Sequence, residues 1–152
     1  VGDAPRIIAF DILDEMGAPT DTIRLGEPIR IRIALQATRP INNFDVVIRI
    51  ETTDNITVTS IRSSDYNQWY TVNPDETLII HATTDTLFLE PAQYYLTPII
   101  ADRHRAFLDH LPRICNLTVQ PTTFGANPPP LALTGVVTTR SEWIATTQQA
   151  TP

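Results

Sequence analysis

Hydrophobic and polar residues alternate strictly along the segment that follows Pro28. Ile29, Ile31 and Ile33 fall on one side of this pattern, and the arginines between them fall on the other. Successive side chains of a β-strand point to opposite faces of its sheet. The alternation therefore predicts a strand with one buried face and one solvated face.

Short apolar runs of this kind recur along the chain, with proline, glycine and other turn residues between them. Such spacing predicts an all-β protein in which two sheets pack as a sandwich. The abundant threonine suits strands, and most of the 13 prolines fall between the runs, where they cap strand ends. The runs are Ile7–Leu13, Ile29–Gln36, Phe44–Ile50, Ile56–Ile61, Thr77–Ala82, Tyr94–Ala101, Arg113–Gln120 and Gly135–Thr139, the last of which leads to Trp143.

Two segments depart from the simple alternating pattern. Pro98 cannot donate a hydrogen bond to a neighbouring strand, so the run Tyr94–Ala101 is predicted to lie at a sheet edge or to be bulged there. The segment Arg103–Leu111 carries a short apolar stripe that ends before Pro112. This stripe predicts a loop with about one helical turn.

The chain is long enough for one folded domain over residues 1–152, because it has 152 residues of which 42% are hydrophobic. The proline-rich segment 126–130 predicts a stiff, extended spacer. After it, residues 131–147 are expected to form a closing strand that can reach a distant sheet edge, including the edge of a second copy in a dimer. The chain begins without methionine or a signal peptide, from which we expect a domain of a longer protein.

Composition argues against several classes of function. The net charge is −6, whereas nucleic acid binding needs a basic patch, so no nucleic acid partner is expected. All 11 basic residues are arginine, which excludes Schiff-base chemistry and a P-loop lysine in this chain. The one cysteine, Cys115, excludes an intrachain disulfide and alternates with Leu117 and Val119 like a small core residue. No histidine, cysteine or carboxylate spacing predicts a metal site or a catalytic site, and no cofactor is expected.

Aromatic and amide side chains crowd together between Ser63 and Thr71. Aromatic rings offer flat apolar faces, and amides offer directional hydrogen bonds. Sugars present both kinds of surface, so this segment is a candidate glycan site; alternatively, Trp69 and Tyr70 cap the end of the core. Ligand contact suits Tyr66 better, core packing suits Tyr70 better, and Trp69 fits either interpretation. The candidate glycan-binding residues in this segment are Tyr66, Asn67, Gln68 and Trp69.

The outer faces of the predicted strands provide a second set of candidates. Arg30 and Arg32 point away from the core-facing isoleucines, and Arg49 alternates with core positions of its own run. We expect these arginines to share one exposed surface with Asp45, with Tyr95 nearby. Cross-strand ion pairing is the other interpretation of these charges. The candidates for glycan contact are Arg30, Arg32, Arg49 and Tyr95.

Four stretches of the chain carry a more specific pattern than alternation. They are Arg6–Ile33, Leu87–Leu96, Ile114–Val119 and Gly135–Trp143. In this order they resemble the C-terminal domain of Wzt-type proteins, the ATP-binding subunits of ABC transporters that export O-antigen and related polysaccharides. The pattern departs at Asn55–Tyr70, which has no glycine and contains the aromatic candidates.

The resemblance implies an immunoglobulin-like antiparallel β-sandwich that binds the exported glycan without catalysing a reaction. It implies a bacterial surface polysaccharide as ligand, and an attached ATP-binding domain and a membrane transporter subunit as partners. It further implies a cytoplasmic location at the inner face of the inner membrane, and a homodimer formed by exchange of the last strand.

Two other classes of function are alternatives. A β-sandwich of this size also suits a protein-interaction or assembly module without a sugar site. A glycosidase would need two carboxylates about 5–9.5 Å apart across a cleft, and the sequence shows no such pair.

Overall fold

The computed structural model describes residues 5–86 and 89–121, and nearly all of its regular structure is β-strand. The predicted spacer 126–130 and closing strand 131–147 lie outside the described residues. A short 3₁₀ turn, Ser63–Tyr66, follows the fifth strand. The strands are β1 (Arg6–Leu13), β2 (Thr22–Arg24), β3 (Arg30–Gln36), β4 (Ile41–Thr52), β5 (Thr57–Arg62), β6 (Tyr70–Val72), β7 (Leu78–Thr83), β8 (Gln93–Ala101), β9 (Phe107–His110) and β10 (Cys115–Gln120).

Two sheets enclose a single core, which is the predicted immunoglobulin-like sandwich. The smaller sheet has the order β1-β3-β7. The larger sheet has the order β2-β10-β8-β4-β5, with β6 beside β4 and β9 beside β8. Among the described strands the pairs are antiparallel, except that β2 runs parallel to β10. Separation of β1, β3 and β7 from β10, β8, β4 and β5 matches the two-sheet division of immunoglobulin domains.

Alternation along the central strands places the core as predicted. Ile31 and Ile33 of β3 are almost inaccessible to solvent, as are Phe44 and Ile48 of β4, and all four belong to one buried cluster. Burial of such side chains contributes roughly 1.5–3 kcal/mol each relative to exposure. The same alternation leaves every second residue of β3 and β4 on the two opposite outer faces of the sandwich.

Tyr94 ties the start of β8 to the segment before it. Its side chain is fully buried, and its hydroxyl donates a 2.7 Å hydrogen bond to the carbonyl of Glu90. A tyrosine near the start of this strand, bonded to the backbone a few residues upstream, recurs in immunoglobulin-like domains. Burial raises the pKa of Tyr94 to about 12, and the nearby Glu90 carboxylate adds to the shift.

Pro98 lies in the middle of the larger sheet, and the register of β8 with β4 is regular through it, so the prediction that its strand lies at an edge or is bulged there is wrong. Strand β8 pairs with β4 on one side and with both β9 and β10 on the other. The Pro98 carbonyl accepts a 3.1 Å hydrogen bond from the Leu111 amide, in the gap between β9 and β10. Because the N–H and C=O of a strand residue point the same way, the missing donor of Pro98 also faces this gap. The irregularity therefore lies in the neighbouring strand, which is split in two.

The segment Arg103–Leu111 forms a hairpin turn and strand β9, so the predicted helical turn is wrong. The Asp102 carboxylate accepts hydrogen bonds from the amides of His104 (2.8 Å) and Ala106 (2.9 Å). The Asp102 amide in turn donates to the Ala106 carbonyl at 3.0 Å. Aspartate stabilises tight turns through such local bonds, and they hold the chain in a hairpin.

The connection between β1 and β2, which belong to different sheets, contains the same turn. The Asp14 carboxylate accepts from the amides of Met16 (2.8 Å) and Ala18 (2.9 Å), and the Asp14 amide donates to the Ala18 carbonyl. The fourth residue of each turn has positive φ, namely Gly17 at 82° and Arg105 at 65°. Glycine takes this conformation readily, whereas arginine rarely does, so the sequence signal for a turn is clear at Gly17 and hidden at Arg105.

Candidate functional site

A groove crosses the outer face of the larger sheet. Its volume is about 370 Å³, within the range of roughly 300–1,000 Å³ that is typical of ligand pockets. Strands β4, β5, β8 and β9, the 3₁₀ turn and the β8–β9 turn supply its walls. We call it the outer-sheet groove; it is lined by Asp45, Val47, Arg49, Ser60, Arg62, Asp65, Ile99, Ala101, Arg105 and Phe107.

Strand register brings these side chains together. Val47 of β4 lies opposite Arg62 of β5 and Ile99 of β8. Two residues further along β4, Arg49 lies opposite Ser60 of β5. Directly opposed residues of antiparallel strands project from the same face of the sheet. These positions alternate with the buried residues of β4, so they form a continuous outer surface.

Asp45 faces this outer surface but is covered, being only 8% exposed. Its carboxylate accepts hydrogen bonds from the Ser63 hydroxyl (2.8 Å), the Ser64 amide (2.9 Å) and the Ser64 hydroxyl (2.7 Å). The Ser63 hydroxyl also accepts a bond from the Val46 amide. The expectation that Asp45 is an exposed surface charge is therefore wrong. It holds the 3₁₀ turn against β4 and thereby fixes one wall of the groove.

The charged side chains of the groove leave a surplus of positive charge. Arg62 forms an ion pair with Asp65, with one nitrogen–oxygen distance of 2.8 Å. Arg49 and Arg105 have no acidic partner among the described residues. The groove thus carries two guanidinium groups that have no acidic partner in the described part of the chain, although the net charge of the chain is −6. Local charge of this kind attracts ligands of opposite sign even when the whole molecule repels them.

Phe107 supplies an exposed aromatic surface at the β9 side of the groove. It is 56% exposed and pairs with Ala101 across the strands. The His110 ring meets it edge-on, with 5.4 Å between the ring centroids. An exposed ring fixed by a neighbour offers the flat apolar face against which a sugar ring can stack.

The predicted aromatic segment lies beside the groove. Trp69 is 36% exposed and Tyr66 is 79% exposed, which suits ligand contact. Tyr70 is half-buried and packs against the core, with its ring 6.2 Å from that of Phe44, as expected. The guanidinium of Arg103 lies 5.7 Å from the centroid of the Trp69 ring. The loops that bring Asp65 and Arg105 to the groove therefore also bring Trp69 and Arg103 together.

Asn67 and Gln68 close the loop between the 3₁₀ turn and Trp69. The backbone N–H of Asn67 donates to the Ser64 carbonyl, and the backbone N–H of Gln68 donates to the Ser63 carbonyl, both at 3.0 Å. Asn67 has φ of 57°, which asparagine tolerates better than most residues. Both side chains are exposed, so their amide groups are available to a ligand.

Arg30 and Arg32 lie on the opposite side of the sandwich from Arg49. Both belong to β3 of the smaller sheet, whereas Arg49 belongs to β4 of the larger sheet. The prediction that these arginines share one surface is therefore wrong. Arg32 forms a 2.9 Å ion pair with Asp11, its direct neighbour across β1 and β3, as the alternative interpretation predicted.

Tyr95 lies on the outer face of the larger sheet, beyond the end of the groove. It pairs with Glu51 of β4, which is the next residue after Arg49 on the same outer face. The Arg113 guanidinium lies 5.0 Å from the centroid of the Tyr95 ring. Its Nη2 atom is buried and has no hydrogen-bond partner within residues 5–86 and 89–121. Arg113 has φ of 52° and lies in the break opposite Pro98, so the break in the strand aims this side chain at Tyr95.

Of the charged and aromatic residues of the groove, three were not predicted from the sequence as candidates: Arg62, Arg105 and Phe107. The helical interpretation places Phe107 on an apolar stripe facing a core, although it faces solvent. The sequence did contain one signal for the turn that carries Arg105. Asp102 precedes an alanine by four residues, as Asp14 does in the turn that contains Gly17.

No metal site and no membrane-crossing helix are found in the described part of the chain. No group of three or more histidine, cysteine or acidic residues there can hold a metal ion. No helix in those residues has the length and apolar character needed to cross a membrane. Cys115 is half-buried against the core, and burial, with the charges of Asp11 and Asp21, raises the pKa of its thiol. A raised pKa keeps the thiol protonated and unreactive.

Comparison with known proteins gives one family and several similar folds. The family model of the Wzt C-terminal domain matches residues 4–137. A crystal structure of the C-terminal domain of Wzt superimposes with a TM-score of 0.76 at 14% identity, covering 95% of this chain and 85% of the other. No curated protein matches by sequence.

Two further structures are similar in fold alone. The Pseudomonas fluorescens alkylpurine DNA glycosylase AlkC, bound to DNA containing an abasic site analog, gives a TM-score of 0.54 at 12% identity, covering 78% of this chain and 31% of the other. A Niemann-Pick type C2 protein from the Japanese carpenter ant gives 0.53 at 6% identity, covering 80% and 96%. Such low identities carry no information about ligands.

Proposed function

Because the chain belongs to the family of Wzt C-terminal domains, we propose that it is a non-catalytic module that binds a polysaccharide for export by an ABC transporter. The ligand is a bacterial surface polysaccharide of the O-antigen type. The outer-sheet groove, extended by the loop of Tyr66–Trp69, is its binding site.

The observation that carries this proposal is the combination of groups in the groove. Phe107 offers an exposed ring, while Arg49 and Arg105 offer hydrogen-bond donors beside it. Sugar rings present apolar C–H faces bordered by hydroxyl groups, so they need both kinds of contact. The groove is open along the sheet, which suits one segment of a long polymer.

The arrangement of partners follows from the family. A transporter subunit of this kind needs an ATP-binding domain, and the absence of lysine means that the P-loop must lie in an attached domain. We propose that this domain and the membrane subunit hold the module at the cytoplasmic face of the inner membrane. We also propose a homodimer in which residues 131–147 are exchanged beyond the spacer 126–130.

Binding to an array of purified bacterial surface polysaccharides tests the function. We expect at least one polysaccharide to bind, and Phe107→Ala to weaken that binding by more than about 1 kcal/mol, since truncation of an aromatic anchor has this effect. Ile79→Ala is the matched control, because Ile79 is also 56% exposed but lies on β7 of the smaller sheet. The absence of any bound glycan would refute the proposal.

A protein-assembly module is the second candidate, favoured by exposed apolar residues on the smaller sheet. Ile8 of β1 is 51% exposed and Ile79 of β7 is 56% exposed. Sedimentation velocity distinguishes the two functions. An oligomer that dissociates in Ile79→Arg, together with an array that gives no binding, would favour assembly over glycan recognition.

A further inference from the structure

Backbone strain in the described residues is concentrated at two arginines. Apart from glycines, positive φ angles occur at Asn43, Asn55, Asn67, Arg105 and Arg113. Asparagine is several-fold enriched in this conformation, whereas arginine has no local hydrogen bond to favour it. Both arginines lie on the outer face of the larger sheet. Strain that persists in a folded protein clusters at functional sites.

The turn at Gly17 shows that the strain at Arg105 is not needed for the fold. The two turns have the same hydrogen bonds, and glycine occupies the left-handed position in one of them. Glycine at position 105 would form the same turn without strain. What it would lack is the guanidinium that Arg105 contributes to the outer-sheet groove.

Apart from the Ser60 hydroxyl, the polar side chains of the groove that have no partner among the described residues are the guanidinium groups of Arg49 and Arg105, which are donors. The carboxylate of Asp45 is occupied by Ser63 and Ser64, and that of Asp65 is occupied by Arg62. An arginine side chain has five N–H donors and no acceptor. A neutral sugar needs both donors and acceptors for its hydroxyl groups. A carboxylate or phosphate needs donors alone, and guanidinium matches its oxygens in two parallel hydrogen bonds.

We infer that the outer-sheet groove recognises a negatively charged group on the glycan, a carboxylate or a phosphate, with Arg49 and Arg105 as its donors. This inference rests on the proposed function and specifies its substrate class as acidic polysaccharides. Phe107 stacks on the sugar ring that bears the charged group. Arg62 is held by Asp65 and lines the wall.

Chemically matched polysaccharides test the inference. Acidic polysaccharides that bind on the array are compared with their carboxyl-reduced forms, in which each uronic acid becomes a neutral sugar, and with forms dephosphorylated by hydrofluoric acid. We expect affinity to fall about tenfold or more for one of the two treatments, because a hydrogen bond between charged groups contributes that much. The treatment that weakens binding identifies the anion. We also expect affinity to fall as salt is raised.

The variant Arg105→Gly separates recognition from folding. We expect it to bind the untreated acidic polysaccharide about tenfold or more weakly, while its thermal stability is unchanged or higher. Binding of the neutralised polysaccharide should weaken several-fold less, because it lacks the anion that Arg105 binds and loses only a hydrogen-bond donor to a neutral group. Arg24→Gln is the control, because Arg24 is an exposed arginine on β2, outside the groove, and it should leave both affinities unchanged.

The outcomes distinguish this inference from the proposed function. Equal binding of the acidic and neutralised polysaccharides would overturn the anion site and leave glycan binding intact. An array without binders would overturn glycan binding, and the anion site would then be judged with inorganic phosphate. We expect phosphate to shift the guanidinium N–H resonances of Arg49 and Arg105 but not that of Arg24. Unshifted resonances would overturn the anion site as well.

Discussion

The guanidinium of Arg103 lies 5.7 Å from the centroid of the Trp69 ring, so two loops that are distant in sequence meet at the end of the outer-sheet groove. One loop follows the 3₁₀ turn and the other joins β8 to β9. A cation above an aromatic face is worth about 0.5–1 kcal/mol at an exposed site. The contact therefore fixes the ring with little cost in burial and leaves part of it available to a ligand.

Removal of the Trp69 ring should weaken glycan binding more than it weakens the fold. We expect Trp69→Ala to lower affinity by more than about 1 kcal/mol and at most about 4 kcal/mol, as measured by isothermal titration calorimetry. Trp69→Phe, which keeps an aromatic face, should recover part of the loss. Met16→Ala is the control, because Met16 is 91% exposed in the connection between β1 and β2. Unchanged affinity in a folded Trp69→Ala variant would remove this residue from the site.

The two equivalent turns predict opposite effects on stability. Arg105→Gly should leave the free energy of unfolding unchanged or raise it by up to about 1 kcal/mol, because relief of a side chain at positive φ outweighs or offsets the added flexibility of glycine in the unfolded chain. Gly17→Ala should lower it by a similar amount, although an added Cβ there meets no atom within 4 Å. Urea unfolding of both variants measures the difference. Equal effects of the same sign would show that backbone strain does not distinguish the turns.

Loss of the Asp45 carboxylate should detach the 3₁₀ turn from β4. Asp45→Ala leaves the donors of Ser63 and Ser64 without their acceptor, which typically costs about 1–3 kcal/mol for a buried group. Urea unfolding should show this loss, and glycan affinity should fall with it because the turn forms a wall of the groove. Asp54→Ala, in the exposed β4–β5 loop, should change neither quantity. Full stability of Asp45→Ala would contradict the assigned role.

Tyr94 predicts a loss of stability at alkaline pH. Its pKa is raised from 10.0 to about 12 in the folded chain, so the unfolded chain releases the proton first. The contribution of Tyr94 to the free energy of unfolding is therefore fully present below pH 10 and is lost as the pH rises toward 12. The contribution lost near pH 11 is about 1.4 kcal/mol.

Comparison with Tyr94→Phe isolates this titration from that of other groups. The variant should be about 1 kcal/mol less stable near pH 8, since it loses the hydrogen bond to the Glu90 carbonyl. The difference between the two proteins should shrink as the pH rises above 10, vanish before pH 11 and then reverse, so that Tyr94→Phe is the more stable protein at pH 12. A difference that stays constant over this range would contradict the shifted pKa.

Much of the fold could be predicted from the sequence because its strands bury only one face. Alternation at Ile29–Ile33 and Phe44–Ile50 placed the core side chains in β3 and β4 correctly. Predictions of strand position were wrong where a neighbouring strand, and not the local sequence, decides the structure. Pro98 is tolerated inside a sheet because the adjacent strand breaks opposite it, and no pattern within the run Tyr94–Ala101 shows where that partner breaks.

The binding surface could be predicted less well, because alternation tells which side chains leave the core but not which sheet they belong to. Arg32 and Arg49 have the same pattern, yet they lie on opposite outer faces. Phe107 was hidden because an arginine occupies the turn position at which glycine would have marked a hairpin. The exposure of Tyr66 and the packing of Tyr70 against Phe44 were predicted correctly from the local pattern. Tyr66 ends the exposed 3₁₀ turn, whereas Tyr70 begins a strand that packs against the core.

Chemical-shift mapping of a bound glycan tests whether the outer-sheet groove is the binding site. The ¹⁵N-labelled chain is titrated with an oligosaccharide cut from a polysaccharide that binds on the array, and the amide shifts are followed. We expect the largest shifts to cluster at Arg49, Arg105 and Phe107 and to reach Trp69. A cluster at Arg30, Arg32 and His81 on the smaller sheet, with the outer-sheet groove unaffected, would contradict this expectation.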